Sequence, residues 1–421
     1  MKPNKNHVFL AATICYSLFY VCRLSLSLVK TPLISAQILT APELGYIGSL
    51  LFYSYGIGKL VNGFLADRLS LRRMATVGLL GTALINLLLG FSTGFWVFAG
   101  LWLINGWLQS MGAPAFVVSL TRWIEKSRRG TFYGLWSVSH NLGEALTFVT
   151  TAAIVTHYGW RAGFCGSAIV GGIGVVILLI FFHDRPATMP SLDTPAPAAE
   201  TPAKPATPWH AQKAMLANPV VWLVALSSAL MYVTRYAINS WGLFFLEQAK
   251  GYTTLQASFV ISASAIAGIF GTMASGWLSD RWFAGNHFFP ALLMGALNAV
   301  ALAIFVFVPG GYLALDLLAM VLFGISVGAL ICYLGGLIVV EVAPAGSAGA
   351  ALGVVGIASY LGAGTQDIIS GLLIGGARAG AKAAPVYHFD SVRLFWLGAI
   401  AVSTLVIFFS WQLHRRRTAR A

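Results

Sequence analysis

Three basic side chains, Arg23, Lys59 and Arg235, stand inside long apolar stretches of this chain. An ionised group at the centre of a bilayer costs roughly 2.5–3.5 kcal/mol even on the mildest scale, so it needs a counter-charge, water or a ligand. Two acids, Glu144 and Asp367, lie in comparable stretches, and pairing with them is one reading of the bases. The bases outnumber those acids, and this favours a positively charged cavity whose chemistry is the non-covalent capture of an anion. A guanidinium fork matches phosphate or carboxylate oxygens two at a time, which an ammonium cannot copy.

Helical spacing gives these charges neighbours. Tyr16, Tyr20 and Arg23 follow at i, i+4 and i+7, and Tyr232 with Arg235 repeats the end of that stripe. Tyr55, Lys59 and Asn62 share one face, and Trp136, His140 and Glu144 step by four along another helix. Rows of tyrosine usually pack helices together; beside a buried arginine they read as a hydroxyl lining. Among these groups His140 has the charge that changes near neutral pH. Asp367, after Gln366 and before Ser370 and Gly371, can pair with a cation, titrate, or cap a kink, and the sequence does not choose. Asp316 and Glu341 fall near helix ends and read as solvated or structural.

The elements that must position these residues follow from composition. Of 421 residues 58% are hydrophobic and 9% charged, against about 25% charged in soluble domains. So few charges cannot cover the surface of a protein this size, and lipid is its solvent. Apolar runs near 8–29, 44–65, 74–93, 96–121, 131–156, 160–182, 219–246, 254–278, 288–308, 312–339, 347–375 and 392–413 give an all-α protein of twelve transmembrane helices. The N-terminal run is too long for a signal peptide, contains Arg23 and lacks a cleavage motif, so it counts as the first helix.

The net charge of +13 is topology rather than a nucleic-acid footprint. The layout sends 17 of the 26 Lys and Arg to one side and 6 to the other, Lys30 and Lys250 among the six. The richer side is cytoplasmic by the positive-inside rule, with both termini there. Cys15, Cys22, Cys165 and Cys332 all fall in spans, and no cysteine or histidine spacing offers a metal site. No phosphate-binding loop, dinucleotide fingerprint or nucleophile motif appears, so neither enzymatic chemistry nor a cofactor is expected.

The stretch 183–217 holds seven of the sixteen prolines and reads as a flexible linker. It separates an N-terminal six-helix bundle, 1–182, from a C-terminal one, 218–421. Tyr20 and Arg23 recur as Tyr232 and Arg235, an offset of 212, and Gly63, Asp67 and Arg68 recur as Gly276, Asp280 and Arg281, an offset of 213. Two unrelated motifs at one spacing indicate an internal duplication.

The run from Gly63 through Asp67 and Arg68 to Arg72 and Arg73 resembles the signature between helices 2 and 3 of the major facilitator superfamily. That resemblance implies two pseudo-symmetric six-helix bundles rocking about a central site. The glycine would allow close helix contact, and Asp67, Arg68, Asp280 and Arg281 would act as gate residues. Within that superfamily the chain resembles the organophosphate:phosphate antiporter family. The match lies in Tyr16, Tyr20 and Arg23; in Gly56, Gly58 and Lys59; in Trp136, His140, Asn141 and Gly143; in Tyr232, Arg235, Tyr236 and Trp241; and in Tyr360, Leu361 and Gly362. It implies that Arg23 and Arg235 clamp a phosphate group from the two halves. Lys59, His140 and Asn141 would add charge and hydrogen bonds, and Tyr16, Tyr20, Tyr232, Trp136 and Tyr360 would shape the pocket.

The implied function is carriage of an organic phosphate (sugar phosphate, glycerol phosphate or phosphoglycerate) across the inner membrane, by a monomer, in exchange for inorganic phosphate. The chain departs from the family at Leu24 and Ser240, where members carry a lysine and an acid. It departs again at Ala265, where an acid is common, and at Glu144, where a small residue is usual. His140, Glu144 and Asp367 are the candidates for proton or charge coupling. Two rivals stay open: a hexose-phosphate sensor working with a membrane sensor kinase, and a proton-coupled organic-anion symporter.

Overall fold

The structure, a computed structural model, describes residues 4–66, 68–125, 128–184, 208–283, 286–344, 347–375 and 387–418. Backbone surrounded by hydrocarbon must satisfy its own hydrogen bonds, and each apolar run does so as a helix. These are α1 (Lys5–Ser35), α2 (Ala41–Ala66), α3 (Leu71–Gly90) and α4, formed by Phe95–Gln109 and, after a turn, Gly112–Trp123. One run, Arg129–Phe181, supplies both α5 (129–158) and α6 (160–181). The chain reverses at Gly159, whose φ of 82° suits a residue without a Cβ. The second half has α7 (Pro219–Lys250), α8 (Thr254–Trp282), α9 (Phe288–Phe307), α10 (Leu313–Val342), α11 (Ala348–Ile374) and α12 (Asp390–Thr418).

Local chemistry sets several starts and stops. Asn218 accepts from the Val220 amide just before Pro219 opens α7, and Gly251, at φ 71°, closes that helix. Thr253 and Gln256 form a capping box that starts α8 two residues later. Among the described residues nine helices are long and apolar enough to cross a membrane, the α5–α6 hairpin counting as one. With that hairpin divided, and with α2 and α4, the twelve predicted spans are all present. The stretch predicted as a flexible linker differs in part: 185–207 lies outside the described residues, and Pro208–Leu216 is a short helix.

Packing repeats the duplication. In the first half α1 packs on α5, α2 on α4 and α3 on α6; in the second, α7 packs on α11, α8 on α10 and α9 on α12. Ser17 Oγ donates to the Ser139 carbonyl at 2.8 Å across α1–α5, and Ser228 and Ser359 bond at 2.8 Å across α7–α11. The halves meet through α2–α11 and α5–α8, pairs that a six-helix shift exchanges.

That meeting is closed at one end only. Where α2 begins it lies directly on α11: a Cβ at Gly48 would fall 1.8 Å from Asp367 Oδ2, and one at Gly45 2.6 Å from the Asp367 carbonyl. Midway, Tyr53 and Thr365 bond at 3.2 Å. Further along the two helices Ile57 and Phe64 of α2 are 64% and 70% exposed, and Leu361 and Ile357 of α11 are 52% and 42% exposed. A Cβ at Gly56 would still fall 3.3 Å from Tyr360 Cβ, but at Gly349, Gly353 and Gly356 of α11 it would meet nothing within 4 Å, so the helices part toward the end that holds Lys5 and Thr418, here called the terminal end. Gly63 was expected to permit close helix contact, yet a Cβ there, as at Gly276, would meet nothing within 4 Å. Both glycines sit where the halves have separated.

Gly48→Val should therefore lower the thermal unfolding midpoint in detergent by several degrees, since overpacking costs about 1–3 kcal/mol. Gly63→Val, facing open space, should leave that midpoint within error of wild type.

Candidate functional site

At the middle of α1, Arg23 is only 4% exposed. Its guanidinium lies over the Tyr55 ring at 4.0 Å and near the Tyr20 ring at 4.9 Å, so two aromatic faces fix its plane. Its Nε and Nη1 are buried without hydrogen-bond partners. Arg235 occupies the equivalent place on α7, with the Tyr236 and Tyr232 rings at 5.3 and 5.8 Å. Its surroundings differ: Nη2 donates to Glu144 Oε1 at 2.7 Å, across the boundary between the halves. Of the two arginines read as a bare positive pair, one already holds an acid. α5 packs on α8 tightly enough to bring Glu144 over α7, and nothing in the sequence declares that approach.

Aromatic walls join the two arginines. In the first half Tyr16 packs on Tyr20 and Trp136, with ring centroids 5.5 and 4.7 Å apart, and Tyr20 faces His140 at 6.1 Å. On the other side Tyr360 lies 4.7 Å from Tyr55 and 5.8 Å from Tyr232, and Phe52 of α2 packs on Tyr236 at 4.5 Å. Tyr16, Tyr20, Trp136, Asn141 and Tyr360 are buried, while Tyr232 and His140 are half-buried.

The polar atoms facing this space share one property. Besides the two arginine nitrogens, Trp136 Nε1, His140 Nε2, Asn141 Nδ2, Tyr236 Oη and Asn239 Nδ2 are buried without partners. Buried polar atoms are nearly always paired, with protein, water or a ligand. Most of these atoms are donors, and their complement is a group that only accepts, an oxyanion. Asn239 lines a small cavity with Arg23 and Tyr236 and a second one with Arg235, Asn141 and Glu144.

Lys59 stands apart from this buried set. It is exposed on the part of α2 that has left α11, with its ammonium 5.6 Å from the Tyr360 ring centre. Asn62, predicted to share its stripe, is buried and donates to Ser110 at 2.7 Å, so it belongs to the α2–α4 contact. Arg68 and Arg281 are exposed at the terminal end, and Asp67 and the Asp280 side chain lie outside the described residues.

The sequence reading missed Lys30. It ended the first helix at 29, at the charge, and assigned Lys30 to a solvent-facing loop. In fact α1 runs on to Ser35 and Lys30 is 1% exposed. Its ammonium bonds Ser240 Oγ at 2.8 Å and Asp367 Oδ1 at 3.3 Å, and lies 3.5 Å from the Trp241 ring centre. Ser240 and Trp241 donate to the same Asp367 oxygen at 2.7 and 2.5 Å. The signal was present: Lys30 stands at i+7 from Arg23, on the same face. Ser240 and Leu24, two of the predicted family departures, line one small cavity with Lys30 and Asp367. Lys250, likewise assigned to a loop, is buried against Asp316 at 2.5 Å. Asp316 also accepts from Tyr252 at 2.8 Å, which makes it structural.

Residues 11–365 match the sequence family described as Major Facilitator Superfamily. The chain is 32% identical to the membrane sensor protein UhpC of Salmonella typhimurium, over 85% of this chain and 83% of that one. It is 33% identical to a probable hexose phosphate transport protein of Chlamydia pneumoniae, over 68% and 67%. To the phosphoglycerate transporter protein of Salmonella typhimurium it is 30% identical, over 82% and 78%. In fold it is similar to the nucleoside transporter NupG, with a TM-score of 0.77 at 14% identity over 96% of this chain and 99% of that one. A bacterial homolog of the lysosomal transporter Spinster, inward-facing and occupied, gives 0.76 at 14% identity over 98% of each chain.

Removing one member of a buried ion pair leaves the other uncompensated, a cost of about 3–5 kcal/mol. Lys30→Met and Asp367→Asn should each lower the unfolding midpoint markedly. The double variant should recover most of the loss, and strictly additive losses would mean that the two side chains do not interact.

Proposed function

The chain belongs to the major facilitator superfamily, and within it to the organophosphate:phosphate antiporter family, and from that premise we propose that it carries a small phosphorylated anion across the inner membrane in exchange for inorganic phosphate. The observation that carries this reading is the set of unpartnered buried donors around Arg23, at the boundary between the halves. An anion there would touch α1 and α5 of one half and α7 of the other. Its binding energy would thus be available to draw the bundles together on their open side, as alternating access requires. The relatives named for hexose phosphate and phosphoglycerate transport support the substrate class.

In this reading 1–182 and 218–421 move as two bodies joined by 183–217. The terminal end, rich in Lys and Arg, is cytoplasmic, so the described state opens inward. Lys59 at the mouth raises the local concentration of anions. Arg23 and Arg235 grip the phosphoryl oxygens, and Trp136, His140, Asn141 and Tyr236 complete the donor shell. Tyr16, Tyr20, Tyr232 and Tyr360 shape the walls. Asp67, Arg68, Asp280 and Arg281 meet when the cytoplasmic side shuts. The carrier works as a monomer, with membrane lipid around it.

Purified protein in phosphate-loaded liposomes should exchange external labelled phosphate, with hexose phosphate, glycerol phosphate and phosphoglycerate competing. Binding without flux would instead favour a sensor acting with a membrane kinase. Carboxylate flux indifferent to phosphate would rule out the exchange. Arg23→Lys and Arg235→Lys keep the charge but lose the fork, and each should slow exchange by roughly 100-fold.

A further inference from the structure

Glu144 is the buried charge that anion binding leaves without a role. Its carboxylate and the Arg235 guanidinium are 6% and 7% exposed and 2.7 Å apart. The nitrogen it occupies is one that a phosphoryl oxygen gripped by Arg235 would take. Arg23, by contrast, keeps two N–H groups open. Within the protein, then, one arginine has an acid as its partner and the other has none.

We propose that Glu144 couples a proton to the anion: an anion seated on both arginines displaces Glu144 from Arg235, and the freed carboxylate takes up a proton that travels with it. The proposal rests on the anion site described above and concerns what that site does when filled. A doubly charged phosphoryl group balances two guanidiniums, so a third anion in the same space has no cation left. The groups around Glu144 bear this out. From α7 it meets Arg235 and Tyr236, and on α5 the nearest titratable side chain is His140, one turn away. α1 adds Tyr20 and Arg23 beyond His140, where a bound anion engages the arginine. α8 offers Ser264 and Gly268, and α10 offers Phe323, Gly324 and Val327, all uncharged. Lys30 is held by Asp367 and Lys59 is out at the mouth, so neither reaches it.

An ionised carboxylate buried without a cation costs several kcal/mol, and taking a proton removes that cost. The proton enters from water on the open side as the anion binds. It leaves when the anion leaves and Arg235 recaptures the carboxylate. No bond other than O–H forms or breaks, and each exchanged anion crosses with one proton.

Calorimetric titration of inorganic phosphate into the purified full chain, in buffers of different ionisation heat, counts the protons. Wild type should take up about one more proton per phosphate than Glu144→Gln, because phosphate's own ionisation is common to both. The ratio of wild-type to variant Kd should rise as pH rises, since wild type takes up the additional proton on binding. Glu144→Asp, which keeps a carboxylate, should restore both effects and show that the Gln result is not misfolding. Equal proton uptake by wild type and Glu144→Gln would overturn the proposal. So would loss of the extra proton in His140→Gln with Glu144→Gln unchanged. Failure of every form to bind phosphate would remove the anion site itself, a different failure from phosphate binding without the proton.

Discussion

Charge buried in an apolar bundle has to meet charge of the opposite sign, and at the centre of this molecule those meetings cross from one half to the other. Arg235 of α7 reaches Glu144 of α5, and Lys30 of α1 reaches Asp367 of α11. Within hydrocarbon neither pair can be given up to solvent, so the halves are held together by the same groups that would otherwise be too costly to bury. Arg23 is the exception, with two N–H groups pointing at no acceptor.

The two cross-half pairs are linked through α7. Between Arg235 and the end of that helix lies a π-helical turn, Ile238–Gly242, which carries Asn239, Ser240 and Trp241. Such turns insert a residue into the helical repeat and recur at functional sites. Here the turn swings Asn239 toward both cavities and sets Ser240 and Trp241 on Asp367. Arg235, which holds Glu144, and Ser240 and Trp241, which hold Asp367, thus stand five and six residues apart on a single helix. α10 has a π-helical turn of its own, Tyr333–Leu337, a second local departure in the same half.

Close packing decides where that shut side lies. Gly45 and Gly48 let α2 rest directly on α11 beside Asp367, while nearer the terminal end a Cβ at Gly63 would meet nothing within 4 Å. Thr31 of α1 also donates to Glu247 of α7 at the closed end. The closed end is therefore sealed by backbone contact, an ion pair and hydrogen bonds together.

Length and composition alone determined twelve helices, because a run of apolar residues has one way to satisfy its backbone in lipid. The 212-residue recurrence determined that the halves are equivalent, and the Tyr and Arg stripes determined which faces turn inward, because 3.6 residues per turn is a property of the chain itself. Arg23, Tyr20, Trp136 and Tyr360 are buried and His140 half-buried. The first helix was cut short at Lys30 because a charge reads as an end when its partner is 337 residues away. Glu144 could be named as a buried acid but not given to Arg235, since that pairing depends on how α5 lies against the other half. Only the tertiary structure decided which charges are spent on one another, because a counter-charge acts through space and leaves no period in the sequence.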